Sequence, residues 1–346
     1  METGPRSVLI AWNSAAFDAK RRLLYFTGGG HRDYGGNEVY RFDLNKGSWQ
    51  RLTEPSALTH LFIDGDYNER ADKPWRRLCW MPDTRKVPAS AHTYDGLQFS
   101  RRTDTLFYYA MRAANGTCFE DRDDRYRDSP LVLGKRTPAS AGWYEFNPST
   151  TETRNGLAPL AWRRVFDYEQ LRAFGVETGF PVTAELDDGR IVFGSRHRTL
   201  IYDPADPSPR SPQAFSQQAD WGVGSMRYDP VRDLVWSIHR HRLLAFDANN
   251  GRLTREVEAD VDHGKSLAIT DDGDLVCWNG VSKIYRLNPD EDKPRWRSID
   301  WRGNGPMTGD HRVYGKWVFI KGLGVFAGLS SERTGAWIYK PPEPRR

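Results

Sequence analysis

The sequence predicts an all-β domain built from six repeats of a four-stranded antiparallel sheet. Three observations predict it. The first is a recurring marker of apolar or aromatic residues followed by Asp or Asn. It appears at residues 40–43, 143–147, 200–203, 244–247 and 284–288, with 337–340 as a degenerate last copy. Asp and Asn suit the opening of a turn because the side chain can accept from the backbone two residues on. The second is a strand, a tight turn and another strand upstream of each marker, at 15–26, 92–109, 182–194, 224–238, 266–278 and 313–329. Asp188-Gly189, Asp229-Pro230 and Asp272-Gly273 supply turn chemistry between alternating strands. The third is the spacing, which for most repeats falls near the ~40–50 residues of a propeller blade.

Each unit is thus a meander of strands a, b, c and d. Strand d is clearest at residues 48–52 and 295–299. One such sheet cannot bury both faces alone, so the sheets are expected to pack radially around an axis as a six-bladed β-propeller. The last copy stops after its third strand. The apolar run from Val8 to Trp12 is therefore expected to supply the missing strand, closing the ring and removing an open edge. Two insertions interrupt the pattern. Residues 56–89 follow the first unit, and residues 112–140, with the run EDRDDRYRDSP, separate strands b and c of the second. Loops that long are usually functional or mobile. A further blade formed by 56–89 would raise the count to seven.

The first repeat carries Gly28-Gly29-Gly30 after strand b, Val39-Tyr40 and Phe42-Asp43 in strand c, and Trp49 in strand d. This resembles a kelch motif, well matched in repeat one and partially elsewhere. Repeats three to five lack the glycine pair and most of the tryptophans. The resemblance spans nearly the whole chain and implies one kelch-like propeller domain over residues 1–346. It implies a fold rather than an activity, since kelch-like propellers include adaptors, glycan binders and a few enzymes.

Composition narrows the function classes. The chain has 346 residues with 13 Trp, 15 Tyr and 16 Phe, enough for a large core. Charged residues form 28% of the chain and the net charge is only +4, so nucleic acid is not an expected partner. Cys79, Cys118 and Cys277 are far apart, odd in number and free of any CxxC, so neither a zinc knuckle nor a disulfide framework is expected. No apolar run approaches a membrane span, and the N-terminus lacks the layout of a signal peptide. The expectation is a soluble chain without membrane insertion. An extracellular or virion surface suits it, and the cytoplasm stays open. No cofactor or metal is expected.

In such a meander the d–a and b–c loops share one face. His31, His197, His239 and His241 fall in or beside b–c loops, His92, His263 and His311 start strands a, and His60 lies in the first insertion. The expected ligand-binding set on that face is His31, Arg32, Asp33, Tyr34, Asn37, His92, Arg112, Arg196, His197, Arg198, His239, His241, His263, Lys265, His311 and Arg312. Its charge favours an anionic ligand such as an acidic glycan. Function concentrates on loops held by a rigid scaffold, although histidines can also simply cap strands. The glycines at 28–30 permit either close approach of a ligand or the b–c crossover.

Other motifs are weaker. Asp64-Gly-Asp66-Tyr-Asn68 lacks the glycine and glutamate of a calcium loop. His239-Arg-His241 would need further metal ligands. Asn115-Gly-Thr117 fits a glycosylation sequon. The arginines and aspartates of 121–128 suit a self-paired loop. No phosphate loop, GxSxG or sialidase Asp-box is present. The expected function is non-catalytic recognition of a glycan or other anionic surface ligand. One alternative is a lyase on an acidic polysaccharide, with Tyr34, His92, Tyr94, His263 or His311 exchanging protons and Arg112 or Arg198 holding the carboxylate. The other is an adaptor that docks a protein partner.

Overall fold

The structure, a computed structural model, describes residues 5–9, 12–29, 35–64, 76–110, 118–123, 125–151, 162–176, 179–195, 198–206, 212–216, 224–239, 241–259, 261, 266–280, 283–299, 313–329 and 335–341. The first element among the described residues is a short helix, Pro5–Leu9 (α1). The expected closing strand is therefore corrected. Val8 and Leu9 end this helix and Trp12 sits in a bend, while residues 10 and 11 lie outside the described residues. Val8 and Leu9 are fully buried, so the apolar run is spent on packing rather than on pairing.

The first sheet is Ala16–Asp18 (β1), Leu23–Phe26 (β2), Tyr40–Asp43 (β3) and Ser48–Arg51 (β4), in chain order. The first insertion then gives His60–Ile63 (β5) and Arg76–Met81 (β6). Leu97–Ser100 (β7) and Thr105–Ala110 (β8) follow. The second insertion gives Cys118–Asp121 (β9), Val132–Lys135 (β10) and the helix Arg136–Ser140 (α2). Gly142–Phe146 (β11) and Trp162–Asp167 (β12) then complete a sheet in the order β12-β11-β8-β7. Next comes a helix, Tyr168–Ala173 (α3), started by a capping box between Asp167 and Gln170.

Three further meanders follow. They are Val182–Glu185 (β13), Ile191–Ser195 (β14), Arg198–Tyr202 (β15) and Gln213–Ser216 (β16); Gly224–Asp229 (β17), Leu234–His239 (β18), Arg242–Asp247 (β19) and Leu253–Glu258 (β20); and Ser266–Ile269 (β21), Leu275–Trp278 (β22), Ile284–Leu287 (β23) and Arg297–Ile299 (β24). A 3-10 turn, Tyr314–Lys316, leads into Trp317–Ile320 (β25), Val325–Leu329 (β26) and Ala336–Tyr339 (β27), a sheet with three strands among the described residues.

Burial explains the composition of the strands. Second strands such as β2, β8 and β14 are buried at every position and read as largely apolar runs. Fourth strands such as β4 and β24 are mostly exposed and polar. The apolar clusters lie between successive sheets. Tyr25 and Phe99 stack across the first pair, Phe107 and Phe193 share the next cluster, and Leu24 and Leu329 join the first sheet to the last. The first strands also lie side by side: β1 by β7, β7 by β13, β13 by β17, β17 by β21, and β21 by β25.

All five complete markers close as expected. Asp43, Asn147, Asp203, Asp247 and Asn288 accept from the backbone N–H two residues on, at 2.8–2.9 Å.

Among the described residues seven sheets are present where six were expected. The seventh, in the order β10-β5-β6-β9, takes two strands from each insertion. It is antiparallel except for β10 beside β5, which run parallel. A disulfide joins Cys79 to Cys118, directly opposite each other on β6 and β9. The expectation of no disulfide is thus corrected. The spacing of the two cysteines carries no signal because their pairing depends on the insertions meeting in space. Cys277 is buried.

Candidate functional site

Four aromatic residues stand just before first strands: Trp12 before β1, Tyr94 before β7, Phe180 before β13 and Tyr314 before β25. The structure brings them together. Tyr94 lies at the centre, with ring centroids 5.7 Å from Trp12, 4.8 Å from Phe180 and 5.7 Å from Tyr314. His92 joins them. Its ring lies nearly parallel to that of Trp12 at 6.4 Å, and its Nδ1 is 3.3 Å from the Tyr94 hydroxyl. Trp12, His92, Tyr94 and Phe180 are partly exposed, whereas Tyr314 is buried and forms the floor. Rings of this kind offer flat apolar faces with polar edges.

Tyr94 is held in the left-handed region, φ 45°, which a bulky residue rarely adopts. Its N–H donates to Trp12 O at 2.7 Å, and the next turn closes through Gly96 N–H to Thr93 O at 2.6 Å. Such a conformation persists only where the surroundings over-determine it.

Those surroundings are a buried polar network. The Asp95 carboxylate accepts from Ser225 Oγ at 3.1 Å, Met226 N at 2.8 Å, Arg227 Nη1 at 2.8 Å and Ser14 Oγ at 3.4 Å. Thr183 Oγ1 donates to Asp95 O at 2.9 Å, Leu267 N to Ser225 Oγ at 3.4 Å, and Gly315 N to Ser14 Oγ at 3.2 Å. The residues at the start of all six successive sheets are thereby linked. Burial pushes the Asp95 carboxyl up, while Arg227 pulls it down. Arg227 also lines a cavity of about 220 Å³ with Phe17, Gln98, Tyr228, Ile269 and Phe319.

Among the expected site residues, the structure brings His92 and Tyr94 together. Arg198, at the start of β15, lies instead against Gly175, whose added Cβ would sit 2.8 Å from its Nη1. His241 is exposed and its carbonyl accepts from Ala259 N–H; His239 is the last residue of β18, paired with Arg242. His60 bonds Thr59 and Arg85 at the start of β5. Asn37 is part of the framework beside the first insertion. It is 2% exposed, donates to Pro88 O at 2.7 Å and accepts from Ser56 N at 2.8 Å, which spends its amide on the first insertion. His31, Arg32, Asp33, Tyr34, Arg112, Arg196, His197, His263, Lys265, His311 and Arg312 lie outside the described residues, as do the calcium-like residues 65–68 and the sequon at 115–117.

The glycines serve close approach. Gly29 N–H donates to Ala91 O, and a Cβ on Gly28, at φ +89°, would stand 2.6 Å from the same oxygen. The sequence alone does not mark Trp12, Phe180 and Asp95 as site residues. Trp12 falls within the expected closing strand, and Asp95-Gly96 within strand–turn–strand chemistry. The shared position just before a first strand is the signal that could have found them. No cluster of three or more potential metal ligands occurs among the described residues.

No protein-family profile matches the sequence, and no curated protein matches it. Solved structures do. An auxiliary nutrient binding protein from Bacteroides ovatus ATCC 8483 is 10% identical, with 97% of this chain and 70% of that chain covered and a TM-score of 0.52. A structural genomics protein of unknown function from Bacteroides thetaiotaomicron VPI-5482 is 8% identical, covering 95% of this chain and 69% of that chain at a TM-score of 0.51. A streptogramin B lyase is 10% identical over 99% of this chain and 86% of that chain, at 0.48. At such identities the likeness speaks for the fold alone. The fold is all-β and β-propeller-like, and no helix among the described residues is long and apolar enough to cross a membrane.

Proposed function

We propose that this protein is a non-catalytic recognition module that binds a glycan or other anionic surface ligand on the side where Trp12, His92, Tyr94 and Phe180 meet. The observation that carries this reading is the convergence of those rings around a strained Tyr94, backed by the Asp95 network. Stacking faces and an imidazole suit a sugar ring that bears an acidic group. A rigid floor under a partly exposed cluster suits a preorganised site.

The reading of the fold goes with it. Six of the sheets are taken as blades of a single kelch-like ring, and the insertion-built sheet as an accessory. The succession of first strands, the apolar cluster between the first and last sheets, and the Gly28-Gly29 contact with Ala91 support it. The Cys79–Cys118 bridge supports an oxidising location, such as a cell or virion surface.

A second reading has its own observation. His92 Nδ1 and the Tyr94 hydroxyl are within reach of a shared proton, which suits eliminative cleavage of a uronate polysaccharide. One experiment separates the two. The protein is titrated with polygalacturonate, alginate and hyaluronate, while the ultraviolet absorbance of unsaturated products is followed. Binding without product, weakened by His92→Ala and by added salt, is the expected result. Product that disappears in Tyr94→Phe establishes the lyase instead, and the absence of binding removes both.

A further inference from the structure

The arginine–aspartate run in the second insertion folds beside two aromatic rings of the seventh sheet and adds a third of its own, Tyr126. Trp80 on β6 and Phe119 on β9 lie 6.4 Å apart, and Tyr126 meets Phe119 edge-on at 5.6 Å. With Glu120, Asp121, Arg122, Asp123 and Arg125 they line a pocket of about 500 Å³, within the usual size of small-molecule sites. The disulfide pairs the strand neighbours Cys79 and Cys118, and so holds Trp80 beside Phe119.

The exposed charges around this pocket pair off, leaving the buried Asp121 as the one carboxylate in excess among the lining residues. Arg122 Nε and Nη2 both bond Glu120 Oε2, at 3.0 and 2.7 Å, and Arg125 Nη2 bonds Asp123 Oδ2 at 2.9 Å. Asp121 is 3% exposed and accepts from the backbone N–H groups of Arg125 and Tyr126. Each exposed pair thus engages one carboxylate oxygen among the described residues. The second oxygen remains an acceptor, and the arginine keeps further N–H donors. An anion would meet no positive surplus here, and a cation would meet only the buried Asp121, whose oxygens already accept two backbone N–H groups. A ring with both donor and acceptor hydroxyls and an apolar face matches the side chains present.

We propose that Trp80, Phe119 and Tyr126, with the Glu120–Arg122 and Asp123–Arg125 pairs, form a binding site for a neutral saccharide. The site shares no residue with the His92–Tyr94 cluster and stands or falls apart from it. A protein with both sites would engage a branched or repetitive glycan at two points, with the gain in avidity that linkage brings.

The test is calorimetric titration with cellotetraose, maltotetraose and mannotetraose in low and high salt. At least one is expected to bind with an affinity unchanged by salt. Trp80→Ala and Tyr126→Ala are each expected to weaken it at least about tenfold, a loss of about 1.4 kcal/mol. Tyr126 lies outside the sheet, so its variant keeps the test decisive if Trp80→Ala fails to fold. His92→Ala should bind the same saccharide as the parent does. The proposal is overturned if no tetrasaccharide binds, if Tyr126→Ala binds like the parent, or if His92→Ala abolishes the binding.

Discussion

The six successive sheets and the insertion-built sheet solve the same problem in different ways. In the six, strands adjacent in the chain are mostly adjacent in the sheet, and each sheet shares an apolar cluster with the next. Apart from β8 with β11, which meet across the second insertion, their pairing is local, so closing each hairpin costs little entropy. The seventh sheet joins residues 60–81 to residues 118–135, and its cluster of Phe62, Cys79, Met81, Ala89 and Ala139 is small. There a covalent bridge adds what packing alone supplies elsewhere. Repetition stabilises a scaffold, while a non-local addition to it needs its own fastening.

Substitutions can break this contrast, and the largest effect belongs to the scaffold. Asp95→Ala would remove the acceptor shared by Ser225, Met226 and Arg227 and leave a partly buried guanidinium unpaired. A loss of about 3–5 kcal/mol is expected, read as a lower denaturation midpoint at an unchanged slope. The double change Cys79→Ala with Cys118→Ala should cost less, about 2–4 kcal/mol. Its far-ultraviolet dichroism should stay that of the parent, because six sheets do not depend on the bridge.

Gly28→Ala sharpens the junction between scaffold and insertion. The positive φ and the Ala91 oxygen 2.6 Å from an added Cβ predict a loss of about 1–3 kcal/mol by thermal melting. A marker turn is worth less still. Asp247→Ala frees the N–H groups of Asn249 and Asn250, for about 0.5–1.5 kcal/mol. The smallest change is Glu256→Ala, which removes an exposed partner of Arg242 and should shift stability by under about 1 kcal/mol.

The parts of the molecule readable from the sequence are those set by short-range chemistry. The five Asp and Asn markers each close a turn within a few residues, and the largely apolar second strands each report burial on both faces. The closing strand failed because an apolar run such as Val8–Trp12 does not distinguish pairing from packing. The seventh sheet and its disulfide failed because Cys79 and Cys118 are 39 residues apart in the chain and meet only through β6 and β9. At the site, His92 and Tyr94 were readable as polar residues on a loop before a strand. Trp12, Phe180 and Asp95 become visible only when the first strands converge, because no two of these three are neighbours in sequence.

Hydrogen exchange measured with and without reductant tests the separation of scaffold and addition most directly. Reduction of Cys79–Cys118 is predicted to speed exchange in residues 60–63, 76–81, 118–121 and 132–135, while residues 97–100 and 224–229 keep their protection. Equal acceleration across both sets would contradict it, since the seventh sheet would then be as integral to the fold as the other six.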